Sequence, residues 1–594
     1  MNKREKIIKA IRAVFTPVLE QWPLWLTIVI TFSPQALASL WYHVRIVGDF
    51  GFVLLENLFN GMCVSAVLAT IIVWLVSLMK HRAWPKCLVY TIVLLLWLVS
   101  FFLMKNFSTF YTPQVLQLIM ETNHGESVEF LRTWIGMPGT RRALILLALV
   151  LVLVLVAERW RKVVQRYLSH AVPMLIVSLL LVAMLGRGLW LCQKFLCRYH
   201  SLYDLELAQE RFYTDDVISS VHMSLMTLKL QRHETAAAIK LAVHEAQAGT
   251  ATCDIDSMDL VLVIGESYNK RHSSLYGYPL ETSPLMRAER DAGSLVVFSD
   301  VISPFNLTSV VLKNLLSVNS VGAGEQWHEY PAWMAVMKHA GWQVDFWDNQ
   351  RNYMANNVFG LSLNSYLFAQ QMQDEVYHAV NERVFTFDEE LVEDFFKKVT
   401  PAKRNLVIFH LMGQHTSYNS RYPHNPQWAV WNVADVPNKS AFLDDSRRQV
   451  ILDFDRATRY NDYVLSRIID RYRDRNAVVV MLSDHGEEVY DYRDFIERDH
   501  NPHKTVKMVE CENEIPFWIW YSPVYQSRCP QRVAAIKAAA DRPFMNDIVG
   551  QMMLWLGEVR SQWTDSTRNV LHPAFKPAPR LMYDGIDYDT FMGQ

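Results

Sequence analysis

Asp484 and His485 stand side by side in SDHGEE, directly after the apolar run AVVVML. Carboxylate oxygen and imidazole nitrogen both bind divalent metal ions. Glu266 closes a second apolar run, MDLVLVIGES, and adds another acidic ligand. An Asp–His pair by itself also suits a simple turn. Two ligand-bearing strand ends in one domain favour a metal site. A hydroxyl completes the set. In ISPFNLTSVVLKNLLSVNS, Thr308 and Ser309 precede an apolar run of helical character. Ser and Thr ordinarily cap a helix at such a place. A hydroxyl there is also well placed to attack phosphorus, because free amides and the helix dipole stabilise a phosphorylated group. A bound Zn²⁺ would help that hydroxyl ionise and would polarise a phosphoryl oxygen.

These residues need a scaffold that brings distant strand ends together. From residue 258 the chain alternates strand and helix patterns. MDLVLVIGES, WQVDFWDNQ, RNLVIFHLMGQH and NAVVVMLSDHGEE are each an apolar run that ends on polar residues. Continuous apolar strands suit a mostly parallel sheet covered by helices on both faces. Ligands of such sheets bind beyond the carboxyl ends of the strands. The polar residues are therefore expected to converge at one edge.

The N-terminal part is of another kind. A chain of 594 residues is too long for one core. Its net charge of −2 gives no ground for a nucleic-acid partner. Five apolar stretches, 24–42, 53–79, 87–105, 143–157 and 172–191, approach the ~20 residues that a bilayer requires. Lys3, Arg4, Lys6, Lys9 and Arg12, then Lys80, Arg82 and Lys86, then Arg159, Arg161, Lys162 and Arg166 fall on one side if all five cross. That side is cytoplasmic by the positive-inside rule, against which Arg141 and Arg142 weigh only slightly. The organisation expected is a five-helix transmembrane domain over 1–195, a bridge over 196–250 and a catalytic α/β domain over 251–594. The bridge lacks proline and glycine from Leu202 to Glu245 and reads as a helix lying on the bilayer surface. Cys192, Cys197, Cys253, Cys511 and Cys529 lie at or beyond the outer end of the fifth stretch, where disulfides are permitted. Their connectivity cannot be deduced from sequence; Cys511 with Cys529 is one candidate pair.

VIGES followed by LYGYPLETSPL, the Thr308 segment, HLMGQHTSY with RYP, and SDHGEE occur in an order that resembles the membrane phosphoethanolamine transferases. That group belongs to the alkaline phosphatase and sulfatase superfamily. With the five apolar stretches, the resemblance covers nearly the whole chain. It implies an alkaline-phosphatase-like α/β domain facing the periplasm and anchored in a bacterial inner membrane. It implies Thr308 as nucleophile and zinc ligand, with Glu266, Asp484 and His485 as the other ligands of one Zn²⁺ and room for a second. The implied donor is phosphatidylethanolamine. The implied acceptor is lipopolysaccharide, at core sugar or lipid A, and GQH resembles the core-modifying branch.

The same resemblance gives His415 a place near the phosphoryl group, to bind phosphate or move a proton. A further family histidine precedes a strand like EIPFWIW; His500 and His503 are its candidates, with His500 preferred for catalysis and His503 for substrate binding. His410 is expected to pack at its strand end. LIMETNHGES is similar to a family segment that holds the donor head group, with Thr122 and Glu126 at its polar positions and Glu126 facing the ethanolamine ammonium. Leu118 stands there in place of a frequent asparagine. The rivals are a phosphoglycerol transferase, a transferase acting on a periplasmic glucan or protein, and a non-catalytic membrane scaffold. A sulfatase activity is disfavoured, since Thr308 lies in no C/S-x-P-x-R signature.

Overall fold

The computed structural model describes residues 15–31, 52–107, 138–168, 170–196, 222, 225–226, 229–230, 236–241, 244, 251–350, 367, 370–415, 417–498, 504–582 and 585–593. The chain divides into two compact units, Met1–Leu230 with Asn356–Leu361 and Gln231–Ala355 with Ser362–Gln594.

The first unit contains α1 (Trp22–Thr31), α2 (Phe52–Leu78), α3 (Ala83–Phe107), α4 (Pro138–Leu168) and α5 (Ala171–Leu196). Among the described residues, four segments are long and apolar enough to cross a membrane: Leu58–Leu78, Ala83–Phe102, Arg141–Leu168 and Val172–Gln193. The apolar helix α1 has ten residues, and positions 32–42 of the first expected stretch lie outside the described residues. α4 runs well past the apolar segment 143–157, through Arg159, Arg161 and Lys162. A hydrophobic run marks what a bilayer can hold, whereas the helix itself continues while backbone hydrogen bonds are made. Leu24, Ile28 and Val29 pack against Ala66, Ala69 and Val73. A Cβ added at Gly188 of α5 would lie 2.2 Å from the Cys63 carbonyl oxygen of α2. Small residues allow this close backbone approach between membrane helices.

The second unit is built on a seven-stranded sheet. Its strands are β1 (Met258–Gly265), β2 (Leu295–Val297), β3 (Gln343–Asp348), β4 (Ala379–Val380), β5 (Arg404–His410), β6 (Ala477–Ser483) and β7 (Phe517–Tyr521). The spatial order is β2–β7–β6–β1–β5–β3–β4. β1 pairs in parallel with β5 and β6, β3 with β5 and β4, while β7 runs antiparallel to both of its neighbours. The mostly parallel sheet expected from the apolar runs is therefore present.

Residues of β1 alternate between two cores, as a period of two dictates. Leu260, Leu262 and Ile264 face one layer, which includes Leu312 and Leu315 of α6 (Thr308–Leu315). Val261 and Val263 face the other, which includes Leu391 and Phe395 of α7 (Asp388–Lys398) and Val464, Leu465 and Ile468 of α8 (Asp445–Tyr472). All eight residues of β1 are buried. With both faces covered, the polar groups past its carboxyl end are drawn into the same dry edge.

Cys511 is a buried free thiol and Cys529 a half-buried one, so the candidate pair does not form. Cys511 lies in the short helix Val506–Glu512, whereas Cys529 heads the helix Pro530–Ala538 and packs on the core under the sheet. Nearness in sequence does not by itself bring two Cβ atoms within bonding reach. Cys197 is outside the described residues. Most of the 196–250 bridge is too.

Candidate active site

Glu266 follows the last residue of β1, and Asp484 and His485 follow the last residue of the neighbouring β6. Parallel pairing sets Gly265 opposite Ser483, so the three ligand-type residues emerge together. All three are fully buried. One donor atom from each lies within 4.8 Å of the others.

The Thr308 side chain reaches the same place. Thr308 is the first residue of α6, and the cap position belongs to Leu307, which makes no side-chain cap bond. The ordinary role of a threonine at a helix start is thus not the one it fills. Its hydroxyl donates to Glu266 Oε2 at 3.1 Å and lies 3.2 Å from His485 Nε2. Ser309 is the next residue of the helix, and the described contacts to Glu266 and His485 come from Thr308.

The imidazole is oriented for coordination. His485 Nδ1 lies 2.9 Å from the Gly486 carbonyl oxygen and donates its proton there, which leaves the Nε2 lone pair toward Thr308. Burial, then the Arg498 charge, push its pKa down to about 3, so the ring is neutral. Burial and the Glu266 charge push Asp484 well above the carboxylate range. Burial acts on Glu266 in the same sense, but His415, Arg498 and the Gln350 amide around it outweigh burial and hold Glu266 below that range. Asp484 Oδ2 accepts no hydrogen bond among the described residues. Two buried carboxylates, a neutral imidazole lone pair and an unmatched carboxylate oxygen fit a divalent cation.

The surrounding backbone holds these side chains in place. Ser267, at φ 55, occupies the left-handed region that a non-glycine residue rarely adopts. That turn lets its amide donate to Asp484 Oδ1 at 3.1 Å and its hydroxyl to Glu266 Oε1 at 2.8 Å. Gln350, just past β3, donates to Glu266 Oε2 at 2.9 Å and to the Leu411 carbonyl at 2.8 Å. The loop after β5 closes over Glu266: the Gln414 amide donates to the Glu266 carbonyl, and the Asp388 carboxylate accepts from the Met412 and Gly413 amides. A Cβ at Gly413, φ +48, would sit 2.8 Å from the Glu266 nitrogen, so only glycine passes there.

Among the residues foreseen from the sequence, Glu266, Thr308, Asp484 and His485 come together in one cluster. His415 ends the Gly413 loop and lies near enough for its charge to lower the Glu266 pKa. His410 is buried at the end of β5 with Nδ1 3.0 Å from Asp348 Oδ1, as packing at a strand end predicts. Thr122, Glu126, His500 and His503 lie outside the described residues.

Sequence reasoning missed Gln350, Glu487 and Arg498. Arg498 Nη1 donates to His485 Nε2 at 2.9 Å and lies 3.8 Å from Glu266 Oε1. Glu487 is fully buried, accepts from the Tyr418 hydroxyl, and is raised to about 8 chiefly by burial. Gln350 ends a run already recognised as a strand, so the signal was present. Arg498 had none, for it follows a short hairpin, Glu488–Val489 with Ile496–Glu497, rather than a strand of the sheet.

The family model described as Sulfatase matches residues 258–557, half of the chain, and the protein belongs to the sulfatase family. Within that class it resembles membrane phosphoethanolamine transferases. It is 26% identical over 566 residues to phosphoethanolamine transferase EptC of Escherichia coli K12, spanning 89% of this chain and 91% of the relative. It is 25% identical over 566 residues to phosphoethanolamine transferase CptA of Salmonella typhimurium, with the same shares covered. Among solved structures, the C-terminal periplasmic domain of Escherichia coli EptC is 28% identical with a TM-score of 0.49, over 57% of this chain and 96% of that one.

Proposed function

We propose that this protein is a zinc-dependent phosphoethanolamine transferase of a bacterial inner membrane. Its donor would be phosphatidylethanolamine and its acceptor a lipopolysaccharide, at core sugar or lipid A. The N-terminus would be cytoplasmic and the catalytic domain over 251–594 periplasmic. The named relatives that span most of this chain support the group transferred. The observation that carries the chemistry is the Thr308 hydroxyl, 3.1 Å from Glu266 and 3.2 Å from His485 in a dry ligand cluster.

Glu266, Asp484, His485 and Thr308 would hold the zinc ion. Bound there, zinc supplies positive charge that favours the threonine alkoxide and offsets charge on a phosphoryl oxygen. The rest of the reaction belongs to the chain. Thr308 Oγ1 gives up its proton and forms a bond to the donor phosphorus. The bond from phosphorus to the diacylglycerol oxygen breaks, and that oxygen takes a proton. A phosphoethanolamine group now sits on Thr308 at a helix start, where backbone amides favour anions. An acceptor hydroxyl then attacks phosphorus, and the Thr308 oxygen leaves and recovers its proton. Dividing one displacement into two lets donor and acceptor use the same site in turn. His415 would bind the phosphoryl group or move a proton. Arg498 adds a cation beside the same ligands. His500, His503, Thr122 and Glu126 keep their proposed catalytic and substrate-binding roles.

A donor-exchange assay separates this reading from phosphoglycerol transfer. Purified full-length protein is given head-group-labelled phosphatidylethanolamine or phosphatidylglycerol in matched vesicles, with lipopolysaccharide as acceptor. Label is expected to move from phosphatidylethanolamine alone. Transfer from phosphatidylglycerol at an equal or higher rate would sink the donor assignment.

A further inference from the structure

The first unit carries a charge cluster that the transfer chemistry does not use. Arg187 lies inside the apolar span Val172–Gln193 of α5. A charged residue deep in a span costs ~3 kcal/mol or more, and it persists where it is paired or reaches the interface. Arg187 stands six residues before Gln193, which puts its Cα about 9 Å short of the span's end at 1.5 Å per residue. A long side chain covers that distance by snorkelling.

The partners of the guanidinium are specific. Nε donates to Asn60 Oδ1 at 3.0 Å, and Nη2 donates to Glu56 Oε1 at 3.3 Å. Trp190 lies one turn further along α5, its ring 4.7 Å from the guanidinium carbon. Asn60 is buried, whereas the Arg187 and Glu56 side chains are 35% and 50% exposed. Guanidinium has five N–H groups. Two are used, and three have no protein partner among the described residues. An exposed tryptophan beside them is the aromatic type that settles at the level of lipid head groups. The polar cluster around Lys86 is different: its side chain is 12% exposed, and its ammonium already sits 2.6 Å from Glu158 and 2.8 Å from Gln21.

A forked donor and a half-exposed carboxylate therefore stand side by side near the end of α5 from which the chain continues toward residue 251. A phospholipid with a primary ammonium carries phosphate and ammonium two carbons apart. We propose that Glu56, Asn60, Arg187 and Trp190 form a head-group site for such a zwitterionic phospholipid. The phosphate binds the Arg187 fork and the ammonium binds Glu56. Asn60 fixes the guanidinium, so this site discriminates by two charges rather than one. An anionic lipid meets Arg187 but is repelled by Glu56. In purpose the site rests on the phosphoethanolamine-transfer reading, since it would hold the donor lipid; its binding chemistry stands apart from that reading.

Lipid retention is measured without turnover. Full-length protein, with Thr308→Ala as background, is placed in phosphatidylcholine nanodiscs doped with phosphatidylethanolamine or phosphatidylglycerol, and retained lipid is counted by native mass spectrometry. About tenfold preference for phosphatidylethanolamine is expected, equal to about 1.4 kcal/mol. Glu56→Gln, which still accepts the Arg187 hydrogen bond, should erase that preference and leave phosphatidylglycerol retention unchanged or higher. Arg187→Gln should lower retention of both. If both variants keep the wild-type preference and change only the melting temperature, the cluster is a helix clamp and the proposal is overturned. If soluble phosphoethanolamine displaces the lipid mole for mole, the lipid assignment is overturned. Selective retention alongside failed transfer would count against the catalytic reading alone.

Discussion

Among the described residues of the second unit, two of the carboxylate–histidine clusters are in opposite states. In one, His272 is buried between Asp455 and Asp491, with Nδ1 2.7 Å from one carboxylate and Nε2 3.3 Å from the other. Tyr278 donates to the second Asp455 oxygen at 2.8 Å. Burial works against the charged ring, but the two carboxylates prevail and raise His272 to about 10. In the other, burial and Arg498 drive His485 down to about 3, and Asp484 keeps an oxygen with no donor among the described residues. The same residue types thus make a self-neutralised strut in one place and a candidate metal cluster in the other. What differs is whether the imidazole faces carboxylates from both sides or spends one nitrogen on a backbone carbonyl.

That contrast predicts which substitutions remove chemistry and which remove stability. Thr308→Ala or Asp484→Ala should lower transfer on the order of a thousand-fold or more, as loss of a member of a cooperating catalytic set does. Melting temperature should barely move for Thr308→Ala. A variant at Thr308 with more than a tenth of wild-type turnover would contradict the nucleophile assignment.

His272→Gln should act in the opposite way. Breaking a buried charge network typically costs ~3 kcal/mol, while zinc stoichiometry should stay at the wild-type value. The loss should depend on pH. His272 is raised from 6.5 to about 10 on folding, so its contribution is complete below pH 6.5 and fades as pH rises toward 10. Burial keeps Asp455 above its usual range and so offsets part of the gain. Denaturant titrations of wild type and variant at pH 6 and pH 9.5 should show the gap narrowing at the higher pH. A gap that widens would reverse the assignment of charge at His272.

Zinc at one hundred times its dissociation constant should add about 2.7 kcal/mol to the stability of the wild type. Asp484→Ala should lose most of that gain, and His272→Gln should keep it. Equal zinc stabilisation of wild type and Asp484→Ala, read by thermal melting with and without chelator, would place the metal elsewhere. The smallest effect is expected at Gln350→Ala. Loss of its hydrogen bond to Glu266 should cost about 1–2 kcal/mol, read as roughly a tenfold weaker zinc affinity.

The sheet and the candidate cluster were legible because the strands are continuous apolar runs and Glu266, Asp484 and His485 sit at their ends. Adjacent Asp484 and His485 needed no long-range information. Thr308 was visible as a hydroxyl at a helix start, but sequence alone could not separate a cap from a nucleophile. Its contact with Glu266 spans 42 positions and exists only in three dimensions. His272 lies between two recognised motifs, and its partners are 183 and 219 positions away. No periodicity records such pairs. Arg498 follows a hairpin in which Tyr490 and Glu497 take positive φ of 57° and 75°, a path that composition does not reveal. The disulfide failed for the same reason, since it is set by Cβ geometry rather than spacing.

Thr308 is the proposed carrier of the transferred group. Full-length enzyme incubated with phosphatidylethanolamine and no acceptor, then digested, should yield a phosphoethanolamine adduct on the Thr308 peptide. Fragmentation should assign it to Thr308. An adduct on Ser309, or an active preparation with no adduct on that peptide, would contradict the account.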